Sequence, residues 1–125
     1  MAQILVIEDD PAIRVTIEQI LQSAGHAVIS AVDGREGVET FRADPADVVI
    51  TDLYMPNQEG LETIQELRSR FPKVVIIAMS GRPTAGTMLS IAQKLGAVGV
   101  LRKPFVPQEL LAAVTKALSA QSQSQ

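Results

Sequence analysis

The chain has 125 residues, a formal net charge of −3, one histidine and no cysteine. This length suits a single domain, the lack of cysteine excludes disulfides and thiol catalysis, and a single histidine excludes a multi-histidine metal site. The 11 lysines and arginines are spread along the chain, which argues against nucleic-acid binding by this chain alone. No apolar run approaches the ~20 residues that a membrane span needs, so we expect a soluble cytoplasmic domain.

Five apolar runs of strand length alternate with five segments in which apolar residues recur at helical spacing. The predicted strands cover residues 3–7, 27–31, 47–51, 74–78 and 98–101. The first predicted helix begins at Pro11, behind the cap residue Asp10, and ends at Gly25. The second predicted helix is centred on Val38, and the third follows Pro56 and ends at Phe71. The fourth runs from Thr84 to Leu95, and the fifth runs from Pro107 to Leu118.

Apolar strands joined by helical crossovers indicate an all-parallel sheet that is covered on both faces. The sequence therefore predicts an α/β, doubly wound five-stranded sheet of the flavodoxin-like type, with strand order 2-1-3-4-5 and five helices. Residues 1–118 form the predicted domain. The tail Ser119–Gln125 is rich in Ser and Gln, which predicts disorder or the start of a linker.

Four of the predicted strands are followed by residues able to do chemistry. In a parallel sheet with this order the strand ends share one edge, and strands one and three are neighbours at the switch point, where ligands bind. These residues are Glu8 and Asp9 after the first strand, Asp52 after the third, Ser80 after the fourth and Lys103 after the fifth.

Three carboxylates at one place repel one another unless cations join them. Lys103 supplies one positive charge, and a hard divalent cation, Mg²⁺ before Ca²⁺, would supply more. Such a group suits phosphoryl transfer to a carboxylate nucleophile. The metal and Lys103 would neutralise the phosphoryl oxygens, and the Ser80 hydroxyl would donate a hydrogen bond to them.

At this point the sequence resembles the receiver domains of response regulators in two-component signalling, including the chemotaxis regulators. The resemblance covers Ile4 to Leu118. It rests on four motifs in order at the strand ends: Ile7-Glu8-Asp9-Asp10, Thr51-Asp52-Leu53-Tyr54-Met55-Pro56, Ala78-Met79-Ser80-Gly81 and Leu101-Arg102-Lys103-Pro104-Phe105.

The resemblance implies a phosphoprotein of a two-component system or phosphorelay rather than an enzyme, one that assists only its own phosphorylation and dephosphorylation. Asp52 would accept a phosphoryl group from the phosphohistidine of a histidine kinase or phosphotransfer protein. A downstream protein, or an output domain, would receive the signal. The implied Mg²⁺ ligands are Asp9 and Asp52, with Glu8 acting through water and Tyr54 through its backbone carbonyl.

Three further residues carry implied features of the family. Ser80 would be the switch hydroxyl, Lys103 would contact the phosphoryl group, and the Lys103–Pro104 bond would be cis. The family often has Tyr or Phe three residues before this lysine, as an aromatic that swings inward on activation. Here that position is Val100, so the usual aromatic readout is in question.

Simpler or different interpretations remain open for the same residues. Asp52 by itself could only cap a turn, and Asp10 before Pro11 is better explained as a helix cap than as a ligand. A phosphatase of the haloacid dehalogenase type also uses an aspartate nucleophile, a Ser or Thr and a lysine, but its nucleophile ends the first strand. A receiver fold kept only as an unphosphorylated scaffold is the third interpretation.

Overall fold

The computed structural model describes residues 2–54, 60–81 and 85–123. Strands and helices alternate along the whole of this part. The strands are β1 (Gln3–Ile7), β2 (Ala27–Ala31), β3 (Val48–Asp52), β4 (Ile76–Ser80) and β5 (Gly99–Arg102). The helices are α1 (Pro11–Ser23), α2 (Gly34–Ala43), α3 (Gly60–Arg70), α4 (Ala85–Lys94) and α5 (Pro107–Gln123).

The strands form one parallel sheet in the order β2-β1-β3-β4-β5. The predicted fold class and strand order are therefore confirmed. Because β1 and β3 are neighbours, with Ile7 in register with Thr51, the residues that follow these two strands emerge side by side. This is the switch point at which a doubly wound sheet has its crevice.

Helices cover both faces of the sheet, which explains why the strands are apolar without alternation. In β1, Ile4 and Val6 belong to a hydrophobic cluster that includes residues of α1 and α5, whereas Leu5 and Ile7 belong to a second cluster that includes residues of α2, α3 and α4. All four side chains are buried. Each strand thus needs apolar residues on both of its sides.

The start of α1 follows the predicted capping chemistry. The Asp10 side chain accepts hydrogen bonds from the backbone N–H groups of Ala12 at 2.9 Å and Ile13 at 3.3 Å, and Pro11 occupies the first turn. These bonds satisfy N–H groups that have no partner inside the helix. The interpretation of Asp10 as a helix cap is confirmed.

Several element boundaries differ from those predicted. β4 lies two residues later, at Ile76–Ser80, and β3 includes Asp52, so Asp52 and Ser80 end their strands instead of following them. α5 continues to Gln123, five residues beyond its predicted end at Leu118. Alanine and glutamine favour helix, and no glycine or proline stops α5.

The assignment of residues 1–118 as the domain, with 119–125 as tail or linker, remains a prediction. The Met55-Pro56 break and the predicted helix start at Thr84 lie outside the described residues. Among the helices in the described ranges, none is both long and apolar enough to cross a membrane.

Gly60, the first residue of α3, touches the end of β3. A Cβ atom at this position would collide with the backbone oxygen of Asp52 and with the Cα atom of Leu53. The Gly60 N–H also donates to the Leu53 carbonyl oxygen at 3.2 Å. The lack of a side chain at Gly60 therefore lets α3 pack directly against the backbone that carries Asp52.

We expect Gly60→Ala to lower the free energy of unfolding by about 2 kcal/mol, because the added methyl group meets backbone atoms that cannot move aside cheaply. Gly86→Ala in α4 is the matched control, since a Cβ there meets only the end of the Arg102 side chain, at 3.1 Å. That variant should gain about 0.5–1 kcal/mol from the better helix propensity of alanine. Urea unfolding of both variants tests the contrast, and equal stabilities would contradict it.

Candidate functional site

A polar cavity of about 280 Å³ opens at the carboxyl edge of the sheet, above the ends of β1 and β3. Two loops and the segment after β5 enclose it. The lining residues are Glu8, Asp9, Asp10, Ile13, Asp52, Tyr54, Gly81 and Lys103. Most of the residues predicted to form a site are thus brought together here.

Asp52 ends β3, and only 6% of its surface is exposed. One carboxylate oxygen, Oδ1, accepts a hydrogen bond from the Tyr54 backbone N–H at 3.3 Å. The other, Oδ2, accepts one from Lys103 Nζ at 3.1 Å. The carboxylate is therefore held at both oxygens while it still faces the cavity.

Lys103 follows β5 and places its ammonium group between two buried carboxylates. Nζ lies 3.2 Å and 3.3 Å from the two oxygens of Glu8, besides its contact with Asp52. Its backbone N–H donates to the Ser80 carbonyl oxygen at 2.9 Å. The Lys103–Pro104 peptide bond is cis, as the family resemblance implied.

Burial governs the charge of Glu8, which is 1% exposed. The pKa of Glu8 is raised from 4.5 to about 8, mainly by desolvation and in addition by the neighbouring Asp52 carboxylate. The Lys103 ammonium lowers this pKa and offsets only part of the rise. In the metal-free protein at neutral pH, Glu8 therefore tends to keep its proton.

The three carboxylates form a cluster suited to a hard cation. Glu8, Asp9 and Asp52 each offer one oxygen, and these atoms all lie within 4.8 Å of one another. Asp9 is exposed to solvent, whereas the other two are buried. Oxygen ligands with one open, wet side match the preference of Mg²⁺ for a few carboxylates and several waters.

Ser80 and Tyr54 take different places around this cluster. Ser80 is buried at the end of β4. Its neighbour Gly81 lines the cavity, whereas Ser80 is not among the lining residues in the described part of the chain. Tyr54 is half-buried and does line the cavity. The structure thus groups Glu8, Asp9, Asp52 and Lys103 closely, with Ser80 linked to them through the backbone of Lys103.

Two features of this region were not predicted from the sequence. The first is Arg14, whose Nη1 donates to the Glu8 carbonyl oxygen at 3.0 Å. The second is an apolar groove of about 480 Å³ beside the cavity, between α1 and the segment after β5. It is lined by Ala12, Ile13, Thr16, Ile17, Ile20, Gly81, Lys103, Pro104, Phe105 and Pro107.

Comparison with known proteins identifies the family to which the chain belongs. The model of the response regulator receiver domain matches residues 4–115. The chain belongs to the receiver domain family. A receiver domain protein from Clostridium thermocellum has a similar structure, with a TM-score of 0.93 and 31% identity over 100% of both chains. The chemotaxis response regulator CheY4 of Vibrio cholerae gives a TM-score of 0.86 and 32% identity, over 94% of this chain and 99% of its own.

Longer relatives place the receiver domain in two-component signalling. Response regulator MprA of Mycolicibacterium vanbaalenii is 36% identical over 110 residues, which are 88% of this chain and 47% of that protein. The chain spans about half the length of this and two other curated relatives that it matches. Receiver domains are signalling domains rather than classical enzymes, and their fold and strand order are those found here.

The raised pKa of Glu8 gives a testable pH dependence. Because the folded-state pKa of about 8 lies above 4.5, the folded protein binds more protons than the unfolded chain between these values. The contribution of Glu8 to stability is therefore complete below pH 4.5 and is lost as pH rises toward 8.

We expect the unfolding free energy of the wild type, relative to Glu8→Gln, to fall between pH 5 and pH 8 by up to about 1.4 kcal/mol per pH unit. Urea unfolding of both proteins in EDTA at several pH values measures this difference. A difference that stays constant over this range would contradict the assignment.

Proposed function

We propose that this receiver domain is a Mg²⁺-dependent phosphoacceptor, and that Asp52 takes a phosphoryl group from the phosphohistidine of a histidine kinase or phosphotransfer protein. The observation that supports this most directly is the environment of the Asp52 carboxylate. It faces a polar cavity, contacts Lys103 at 3.1 Å, and shares a cluster with Glu8 and Asp9.

The charges of the site favour a divalent cation. Once Glu8 gives up the proton that it tends to keep in the metal-free protein, Glu8, Asp9 and Asp52 carry three negative charges, and Lys103 carries one positive charge. Asp9 and Asp52 would bind Mg²⁺ directly, with Glu8 acting through water and Tyr54 through its backbone carbonyl. When bound, Mg²⁺ supplies positive charge to the oxygens of the transferring phosphoryl group.

The transfer step follows from the position of Asp52. One carboxylate oxygen forms a bond to phosphorus while the bond from phosphorus to the donor's imidazole nitrogen breaks. The imidazole keeps the electron pair of that bond and takes up a proton. The product is an acyl phosphate on Asp52, and the donor histidine is released in its neutral form.

Lys103 and Ser80 would link this step to a change of conformation. The added phosphoryl oxygens compete for the Lys103 ammonium group, which in the unmodified protein contacts Glu8 and Asp52. The Ser80 hydroxyl would donate to another of these oxygens. Because the Ser80 carbonyl accepts from the Lys103 N–H, the ends of β4 and β5 respond together. Phosphorylation would thereby shift a two-state equilibrium that a downstream partner reads.

The apolar groove beside the cavity suits the docking of the phosphodonor. Groove and cavity share three lining residues, Ile13, Gly81 and Lys103. An amphipathic helix of the donor that lies against α1 would therefore hold its phosphohistidine at the mouth of the cavity. Holding the donor histidine near Asp52 in this way lowers the entropic cost of the transfer.

The proposal predicts that incubation with acetyl phosphate and Mg²⁺ adds one phosphoryl group to the wild type, as measured by intact mass. Asp52→Asn should not gain this mass, and neither should the wild type in EDTA. A wild type that stays unmodified under all conditions, and also fails to bind Mg²⁺, would favour the scaffold interpretation. Sustained hydrolysis of p-nitrophenyl phosphate would favour the phosphatase instead.

The docking site has a separate test. We expect Thr16→Arg to slow phosphoryl transfer at least 10-fold from any histidine kinase that labels the wild type, because the exposed Thr16 lines the groove. Val15→Arg, on the same helix but outside the groove, is the matched control. Labelling by acetyl phosphate should be unchanged in both variants. Equal transfer rates from the kinase to Thr16→Arg and the wild type would exclude this face as the docking site.

A further inference from the structure

Arg14, near the start of α1, reaches back to the segment Glu8-Asp9-Asp10, whose three carboxylates all line the cavity. Its Nη1 donates to the backbone carbonyl oxygen of Glu8 at 3.0 Å. The side chain is half-buried. Within residues 2–54, 60–81 and 85–123 no carboxylate forms an ion pair with it. The guanidinium group thus acts on the backbone of Glu8 rather than on a neighbouring charge.

The carbonyl of Glu8 lies where the chain leaves the sheet. The Glu8 N–H still continues the parallel ladder, since it donates to the Ala31 carbonyl oxygen at 3.0 Å. The Glu8 carbonyl, however, lies beyond Ile7, the last residue of β1. Arg14 replaces the missing strand partner, so that both backbone polar groups of Glu8 are held.

The other end of the same segment is also fixed by α1. The Asp10 carboxylate caps the helix, and the Asp10 carbonyl oxygen accepts from the Arg14 backbone N–H at 2.9 Å. Asp9 lies between these two held residues and is itself exposed. Because an exposed side chain gains little from packing, the place of the Asp9 carboxylate depends on its backbone.

We propose that Arg14 is a positioning residue that sets the spacing of the Glu8 and Asp9 carboxylates opposite Asp52, and through it the affinity of the site for Mg²⁺. This inference rests on the proposed function, because it concerns the same metal. The planar guanidinium group suits the task, since its donors are held in a rigid fork. Groups that orient metal ligands change metal affinity by about 10–100-fold when they are removed.

The first test is a Mg²⁺ titration that is monitored through the fluorescence of Tyr54. Tyr54 is the only tyrosine in a chain without tryptophan, and it lines the cavity. Arg14→Gln should raise the Kd for Mg²⁺ about 10-fold. Arg14→Lys, which keeps a charged donor, should recover most of this loss. Arg35→Gln is the matched control: it removes the same charge from an exposed residue in the first turn of α2, and its Kd should equal that of the wild type.

Two outcomes of the titration would overturn the inference. A wild-type Kd in Arg14→Gln, together with a lower unfolding free energy, would leave Arg14 with a structural role alone. An equal rise of Kd in Arg14→Gln and Arg35→Gln would assign the effect to net charge and not to position.

A second test needs no metal. Amide hydrogen exchange of Asp9 and Asp10 in EDTA should be faster in Arg14→Gln than in the wild type and unchanged in Arg35→Gln. If the wild type binds no Mg²⁺, the proposed function fails, and this measurement then decides the positioning role by itself. Exchange at the wild-type rate in Arg14→Gln would overturn that role.

Discussion

The ammonium group of Lys103, held between the carboxylates of Glu8 and Asp52, is the interaction on which the site depends. Two buried carboxylates this close repel each other, and burial alone favours their neutral forms. Lys103 offsets this with contacts of 3.1–3.3 Å to both, yet the pKa of Glu8 still rises to about 8. The metal-free site thus has less positive charge than its three carboxylates would need to be fully ionised, and a bound dication would supply more.

The sheet topology creates this arrangement from residues far apart in sequence. Parallel strands in the order β2-β1-β3-β4-β5 place the ends of β1, β3, β4 and β5 along one edge. Glu8 and Lys103 therefore meet although 95 residues separate them. Gly60 then allows α3 to pack on the backbone of Asp52 and Leu53. The backbone that carries Asp52 is therefore held by strand pairing on one side and by the start of α3 on the other.

Much of this was predictable, because apolar runs reveal buried strands and polar residues at their ends stand out. Asp9, Asp52 and Lys103 are such residues, and the structure brings them to one cavity. The boundaries of β4 and α5 were not predictable, because strand pairing in β4 and helix propensity in α5 continue past the residues that were predicted to end these elements. The contact of Arg14 was not predictable from the sequence either, because its partner is a backbone carbonyl, which every residue has. Val100 lies half-buried in β5 against the core beneath α4, at the position where the family often has an aromatic residue.

The most direct test of the account is a crystal structure of the protein grown with Mg²⁺ and beryllium fluoride, a stable analogue of the phosphoryl group. We expect the beryllium to bind a carboxylate oxygen of Asp52, with Mg²⁺ bound to Asp9 and Asp52 at about 2.0–2.1 Å. We also expect Lys103 Nζ to contact a fluoride ligand. A complex with the analogue on another residue, or an Asp52 that remains free beside a filled metal site, would contradict the assignment of Asp52 as the phosphoacceptor.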